Sequence, residues 1–329
     1  MHERLQVAMM GNGQPRRYLT SLRKRLLRCL LDDPSELELG HTLGLAPLEL
    51  TSELEALTGA GLVARTPEGV RPTFLVVAAA EVAPVTARAE TSAAAQAALL
   101  HTCWPDLLAA MGGIEMAGWS MPELAFFLVG NWLLDQGVLE ALADDGELMP
   151  PAPARPAPED PNARYYLWMV EGGQTDLGRY GQRAHTLPWE GWYLITFGEY
   201  GTGSQTSGVR AALEARGLDL AQQGGRSTPD ELARAIGVPA FSQELTAAWL
   251  EQVYPTAEAL VGLYRGERSD LENLYGGLGV SHYLPNGMGE FMCWYDHLVF
   301  ARTIDLLAAQ DKLAVPTSRF VAALWQVKI

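Results

Sequence analysis

Cysteine is scarce in this chain. Cys29, Cys103 and Cys293 stand far apart in 329 residues and form neither a CxxC pair nor an even disulfide set. A reducing cytoplasm is therefore the expected compartment. Long hydrophobic runs are also missing. The longest, Phe74 to Ala80, has the length of a strand and falls far short of the ~18–20 residues of a membrane-spanning helix, so no membrane partner is expected. A signal-peptide layout is absent as well, because Arg16 to Arg28 occupy the place of its apolar core. No GxSxG, HExxH or P-loop pattern occurs, and no cofactor is implied. Positive charge is in deficit: the net charge is −15, which argues against wholesale coating of nucleic acid. What is present, 48% hydrophobic and 19% charged residues, is the composition of a folded globular protein.

The charge is unevenly placed. Residues 1–90 carry 10 basic and 11 acidic side chains, whereas residues 91–329 carry 14 and 28. Within the first segment Arg16, Arg17, Arg23, Lys24, Arg25 and Arg28 place six cations in thirteen residues with no acid among them. Such a run either meets a polyanion or is a helix face, solvated or docked against the protein's own acidic body.

Tyr18 to Asp32 has leucines at 19, 22, 26, 27, 30 and 31, the stripe of an amphipathic helix. Pro34 ends it. Ser35 caps a second helix that closes at Leu43-Gly44, and Pro47 opens a third with Leu50, Leu54 and Leu57 on one face. Leu62 to Arg65 and Val70 to Val77 follow as extended runs around the turn Thr66-Pro67-Glu68-Gly69.

Helix, helix, tight turn, helix and hairpin resembles the winged helix-turn-helix of bacterial ArsR- and MarR-like regulators. The likeness rests on Glu38-Leu39-Gly40, Leu43-Gly44-Leu45, Leu54-Glu55-Ala56-Leu57 and Gly61-Leu62-Val63, within residues 16–78. It implies a third helix that reads base edges in the major groove, with Thr51 and Ser52 facing bases. Arg23, Lys24, Arg65 and Arg71 would then hold the backbone. Glu49, Glu53 and Glu55 on that helix depart from the family pattern; the alternative use of such a module is dimerisation or docking.

Beyond it, Ser92 to Met111 and Ser120 to Ala143 read as helices, the second opened by a capping box of Ser120 and Glu123. Six prolines within residues 150–161 read as an extended connector. Tyr165 to Val170 and Trp192 to Phe197 read as strands, and nine aromatics lie between residues 165 and 200. Tyr166, Trp168 and Glu171 on the first strand, with Trp192, Tyr193 and Glu199 on the second, are the expected lining of a pocket for a cationic or flat apolar ligand; an ordinary aromatic core is the other reading. Cys293 and His297, four apart on a predicted helix, are weak metal candidates only.

The expected fold is α+β and predominantly helical, a winged helix-turn-helix followed by a larger mixed domain with a small aromatic-rich sheet. The expected divisions are 1–84, a helical connector or dimerisation region at 85–148, a Pro-rich linker at 149–163, and an acidic effector-binding domain at 164–329. Together these features predict a cytoplasmic, homodimeric DNA-binding transcriptional regulator controlled by a small-molecule effector. The alternative is an enzyme in the C-terminal domain with the winged helix used for dimerisation.

Overall fold

The computed structural model describes residues 5–67, 69–114, 119–156, 160–199, 204–223, 228–318 and 320–327. The protein is mixed α+β and predominantly helical. Its first elements are β1 (Leu5–Gly11), α1 (Ser21–Cys29), α2 (Glu36–Leu43), α3 (Pro47–Gly59), β2 (Val63–Thr66), β3 (Gly69–Pro72) and β4 (Leu75–Val77). Then come α4 (Ala79–Gly112), α5 (Met121–Ala125), a π-helix (Phe126–Gly137), α6 (Val138–Asp145), β5 (Tyr165–Glu171), β6 (Tyr180–Thr186) and β7 (Trp192–Glu199). The last are α7 (Ser204–Gln223), α8 (Pro229–Ile236), β8 (Ala240–Phe241), α9 (Gln243–Gly266), α10 (Arg268–Gly276), α11 (Met288–Ala308) and β9 (Phe320–Gln326).

The chain divides into two compact units that interleave in sequence. The first comprises residues 1–89, 142–177 and 267–296, and the second residues 90–141, 178–266 and 297–329.

In the first unit, local chemistry sets the helix ends. Thr20 accepts the amide of Arg23 at the start of α1. Ser35 and Glu38 exchange hydrogen bonds at the start of α2, and Gly44 closes it at φ +70°, a conformation that glycine adopts without the steric cost of a Cβ. Pro47 occupies the first turn of α3, where its missing N–H costs nothing. Leu26, Leu27, Leu50, Leu54 and Leu57 from these helices share one core with Leu167 and Met169 of β5.

The run Val70 to Val77 is not one strand. It breaks at Thr73, whose N–H bonds to the Leu62 carbonyl and whose hydroxyl bonds to that of Gly61. β2 and β3 form a two-stranded hairpin, while β4 joins a separate sheet of order β1-β5-β4. In that sheet β5 is antiparallel to β1 and parallel to β4, and every β5 residue is buried.

The Pro-rich stretch is not a boundary between folded units, since residues 142–177 belong with residues 1–89. Arg155 anchors it. Its guanidinium donates to the carbonyls of Tyr165 (2.5 Å) and Thr73 (2.7 Å), and pairs with Glu290 at 2.5 Å. The Glu290 carboxylate also accepts the amides of Leu75 and Leu167. A buried charge is kept only when it is paired and hydrogen-bonded, and this pair ties residue 155 to the sheet.

The second unit is built on the sheet β6-β7-β9-β8. Its helix from Ser120 starts with the expected capping box of Ser120 and Glu123. The helix is not uniformly α, however: residues Phe126–Gly137 are π-helical, with hydrogen bonds reaching five residues back. Gly137 suits this wider turn, because a Cβ there would stand 2.8 Å from the carbonyl oxygen of Trp132. Trp132 stacks on Trp325 of β9 at 3.7 Å between centroids and 17°. Among the described residues no helix is long and apolar enough to cross a membrane.

Candidate functional site

α3 turns Leu48, Ser52 and Glu55 outward, with Leu48 85% exposed. Two of its three glutamates are engaged within the protein. Glu49 accepts the Ala46 amide at the helix start, and Glu53 pairs with Arg23 at 2.5 Å. The Thr51 hydroxyl donates to the Pro47 carbonyl of its own helix, while Ser52 is exposed. Glu55 is thus the acid this face presents most openly.

The expected phosphate-binding cations are turned toward the protein's own acceptors. Arg23 holds Glu53 and the Tyr18 carbonyl. Lys24 donates to the Leu5 carbonyl. Arg65 pairs with Glu36 at 2.7 Å, and Arg71 with Asp33 at 2.5 Å. Arg28 binds both Asp32 and Glu171. The basic first helix is therefore largely docked on local acids and carbonyls, while Arg17 and Arg25 are exposed.

The six residues expected around one ligand are distributed over two sheets. Tyr166, Trp168 and Glu171 lie in β5 of the first unit, and Trp192, Tyr193 and Glu199 in β7 of the second. Trp168 is wholly buried, and the Tyr166 hydroxyl donates to the Pro150 carbonyl. Glu171 serves as a clamp that accepts Arg28 and the Ala79 amide. Glu199 pairs with Arg179 at 2.6 Å, and Arg179 reaches Asp305 at 2.7 Å. Trp192 and Tyr193 are half-buried. Tyr200 lies outside the described residues. Large rings also fill sheet faces for hydrophobic reasons alone.

Sequence reasoning missed a polar cluster in the second unit. Asn131 and Asp135 stand four residues apart on the π-helix, both buried, and Asp135 Oδ1 is 3.8 Å from Nε2 of buried His297 on α11. Neither amide atom of Asn131 has a hydrogen-bond partner among the described residues, and Asp135 Oδ2 also lacks one. Burial raises the Asp135 carboxyl to about 7, against the opposing bond from the Gln182 amide. At 3.8 Å the imidazole is beyond hydrogen-bond reach, and desolvation wins. Gly178, at φ +114°, packs against His297 where a Cβ would come within 2.9 Å of the histidine Cβ. The available signal was Asp135 itself, the one acid between Phe126 and Gly137.

A second buried network links Arg210, Thr196 and Glu214. Thr196 donates to Glu214 at 2.6 Å and accepts from Arg210 at 2.9 Å. Burial would raise Glu214, but His185 at 3.4 Å, Thr196 and Arg210 together outweigh it and hold the carboxyl at about 2. Cys293 and His297 lie on α11, and no group of three or more His, Cys, Asp or Glu among the described residues is placed to hold a metal ion. No protein-family profile matches this chain, and no significant match was found among curated proteins or solved structures.

Proposed function

We propose that the chain is a DNA-binding transcriptional regulator that acts as a homodimer under control of a small-molecule effector. In this reading α1–α3 and the hairpin β2–β3 form a winged helix-turn-helix. The observation that carries it is the turn at Gly44 between α2 and α3, followed by a hairpin, with α3 presenting Leu48, Ser52 and Glu55 to solvent. An exposed helix face of this kind is what enters a major groove. Leu48 suits a thymine methyl group, and Glu55 suits the amino group of cytosine. Arg65 and Arg71 of the hairpin, after exchanging carboxylates for phosphates, supply backbone contacts.

The test is a gel-shift titration of the full chain against fragmented genomic DNA between low and physiological salt. Binding should fall with salt, and Arg65→Gln with Arg71→Gln should weaken it further. Absence of a shift at low salt refutes DNA binding.

A second reading is an enzyme whose site lies in the second unit rather than in residues 164–329 alone, with the winged helix serving dimerisation. It draws on Asn131, Asp135 and His297 beside a π-helical segment, since such segments recur at functional sites. Mass spectrometry of a metabolite extract treated with the full chain or with Asp135→Asn tests it: depletion that does not depend on Asp135 removes its support.

A further inference from the structure

We propose that a cavity in the first unit binds a small zwitterion of the α-amino acid class. The cavity opens where the short helical turn Pro15–Arg17, the C-terminal end of α3 and residues 160–165 meet, and it encloses about 200 Å³. At roughly 30 Å³ per water, that volume admits about seven water-sized groups, the size of a small aliphatic amino acid.

Its chemistry is graded from floor to rim. Pro15, Ala60, Ala163 and Tyr165 are buried and form an apolar floor, whereas Arg17 is exposed and Asp160 is half-buried. A guanidinium and a carboxylate above an apolar floor match a carboxylate and an ammonium carried on one short hydrocarbon body. The aliphatic side chain gains by burial, and each ligand charge meets an opposite one in a charge-assisted contact. A ligand with one charge would leave either Arg17, or Asp160 with its accepted Asn162 amide, without an opposite charge.

The floor is preformed. Gly13 lies against the Tyr165 ring where a Cβ would collide with it. The Arg155 guanidinium stands 5.3 Å from the ring centroid. Fixing the wall in advance lowers the ordering cost of binding.

The cavity also touches two groups that hold α3. Ala60 ends the helix, its N–H bonding to the Ala56 carbonyl. The Tyr18 carbonyl accepts Arg23, and Arg23 in turn binds Glu53 on α3. A ligand here contacts both fixings of the helix that would read DNA. That regulatory consequence rests on the regulator reading, while binding itself does not.

Calorimetry on the full chain with L-alanine, L-valine and L-proline tests the site without DNA. At least one should bind with one site per chain. Arg17→Gln and Asp160→Asn should each weaken it about tenfold or more, with circular dichroism unchanged. Isobutyrate and isobutylamine, each with one charge, should bind at least about tenfold more weakly. No heat with any amino acid, equal affinity in both variants, or equal binding of the singly charged compounds overturns the proposal. A positive calorimetric result without any DNA shift removes the regulator reading and leaves the site standing.

Discussion

Replacing Asp135 with Asn should change how the second unit's stability depends on pH. Asp135 is 5% exposed, and burial raises its carboxyl from an ordinary 3.8 to about 7. In the unfolded chain the group ionises near 3.8; in the folded unit it keeps its proton until about pH 7. Between those values the folded state binds more protons than the unfolded state, so stability falls as pH rises through the window. The contribution of this one group is highest below pH 4 and levels off above pH 7. At about 1.4 kcal/mol per pH unit, the rise corresponds to about 4 kcal/mol of stability lost across the window.

Asparagine keeps the shape and removes the ionisation. Any cost of the new amide is a constant offset, so the informative quantity is the difference between wild type and variant as a function of pH. Urea unfolding can be followed by tryptophan fluorescence, because Trp132, three residues from Asp135, stacks on Trp325. Relative to the variant, the wild type should weaken by about 4 kcal/mol from pH 4 to pH 8. Parallel pH profiles for the two proteins would refute the reasoning, because they would mean that the folded carboxyl ionises as readily as an exposed one.

Further outcomes are expected. Asn131→Leu removes two buried amide atoms that lack partners among the described residues and should stabilise the second unit by about 1–3 kcal/mol; a loss of stability would show that the amide is satisfied. Glu290→Ala leaves Arg155 buried without its carboxylate and should cost about 3–5 kcal/mol in chemical denaturation. The pair Arg155→Met/Glu290→Leu should recover only a fraction of that, because the Leu75 and Leu167 amides still lack an acceptor. Ser120→Ala breaks the cap on α5 and should cost about 1 kcal/mol, read as a lower Tm. Arg65→Gln should weaken DNA binding with Tm unchanged, whereas Arg23→Gln should lower Tm, because Arg23 is partly buried against Glu53 on α3.

The features legible in the sequence are those whose physics is local. Ser35 with Glu38, Gly44 after Leu43, Pro47 at a first turn and Ser120 with Glu123 each act within a few residues, and each bounds a helix in the structure. The strands at 165 and 192 are legible for the same reason, through aromatic and β-branched enrichment. What cannot be read is pairing across distance. Nothing local tells Leu5 to Gly11 that it will lie antiparallel to residues 165–171, or that Val70 to Val77 will break so that its second half joins that same sheet. The two aromatic strands look alike along the chain and suggest one pocket, yet their hydrogen-bond partners place them in different sheets. Asp135 escapes notice because an acid in an apolar helix becomes informative only once His297 is known to face it.

The same distinction resolves the electrostatic difficulty of the N-terminal region. Read along the chain, six cations in thirteen residues suggest a polyanion-binding face, while three glutamates on α3 speak against one. In space the two sets largely answer each other: Arg23 holds Glu53, Arg28 holds Glu171, and Glu49 is absorbed into its own helix start. These contacts fix α1 to α3 and to β5, so the basic run serves chiefly to assemble the unit. An exposed ion pair contributes only about 0–1 kcal/mol, and Arg65–Glu36, with both side chains about half exposed, belongs to that class. Phosphate can exchange for such a partner at little cost, whereas exchange for the partner of Arg23 would loosen the helix that is to be presented. On the regulator reading, phosphate contacts would fall to Arg65 of the hairpin and to the exposed Arg17 and Arg25, and few phosphates would be engaged. Salt dependence scales with the number of phosphates neutralised, so binding through so few cations should show a shallow salt slope. On the regulator reading, sequence discrimination would come from Leu48, Ser52 and Glu55 rather than from phosphate contacts.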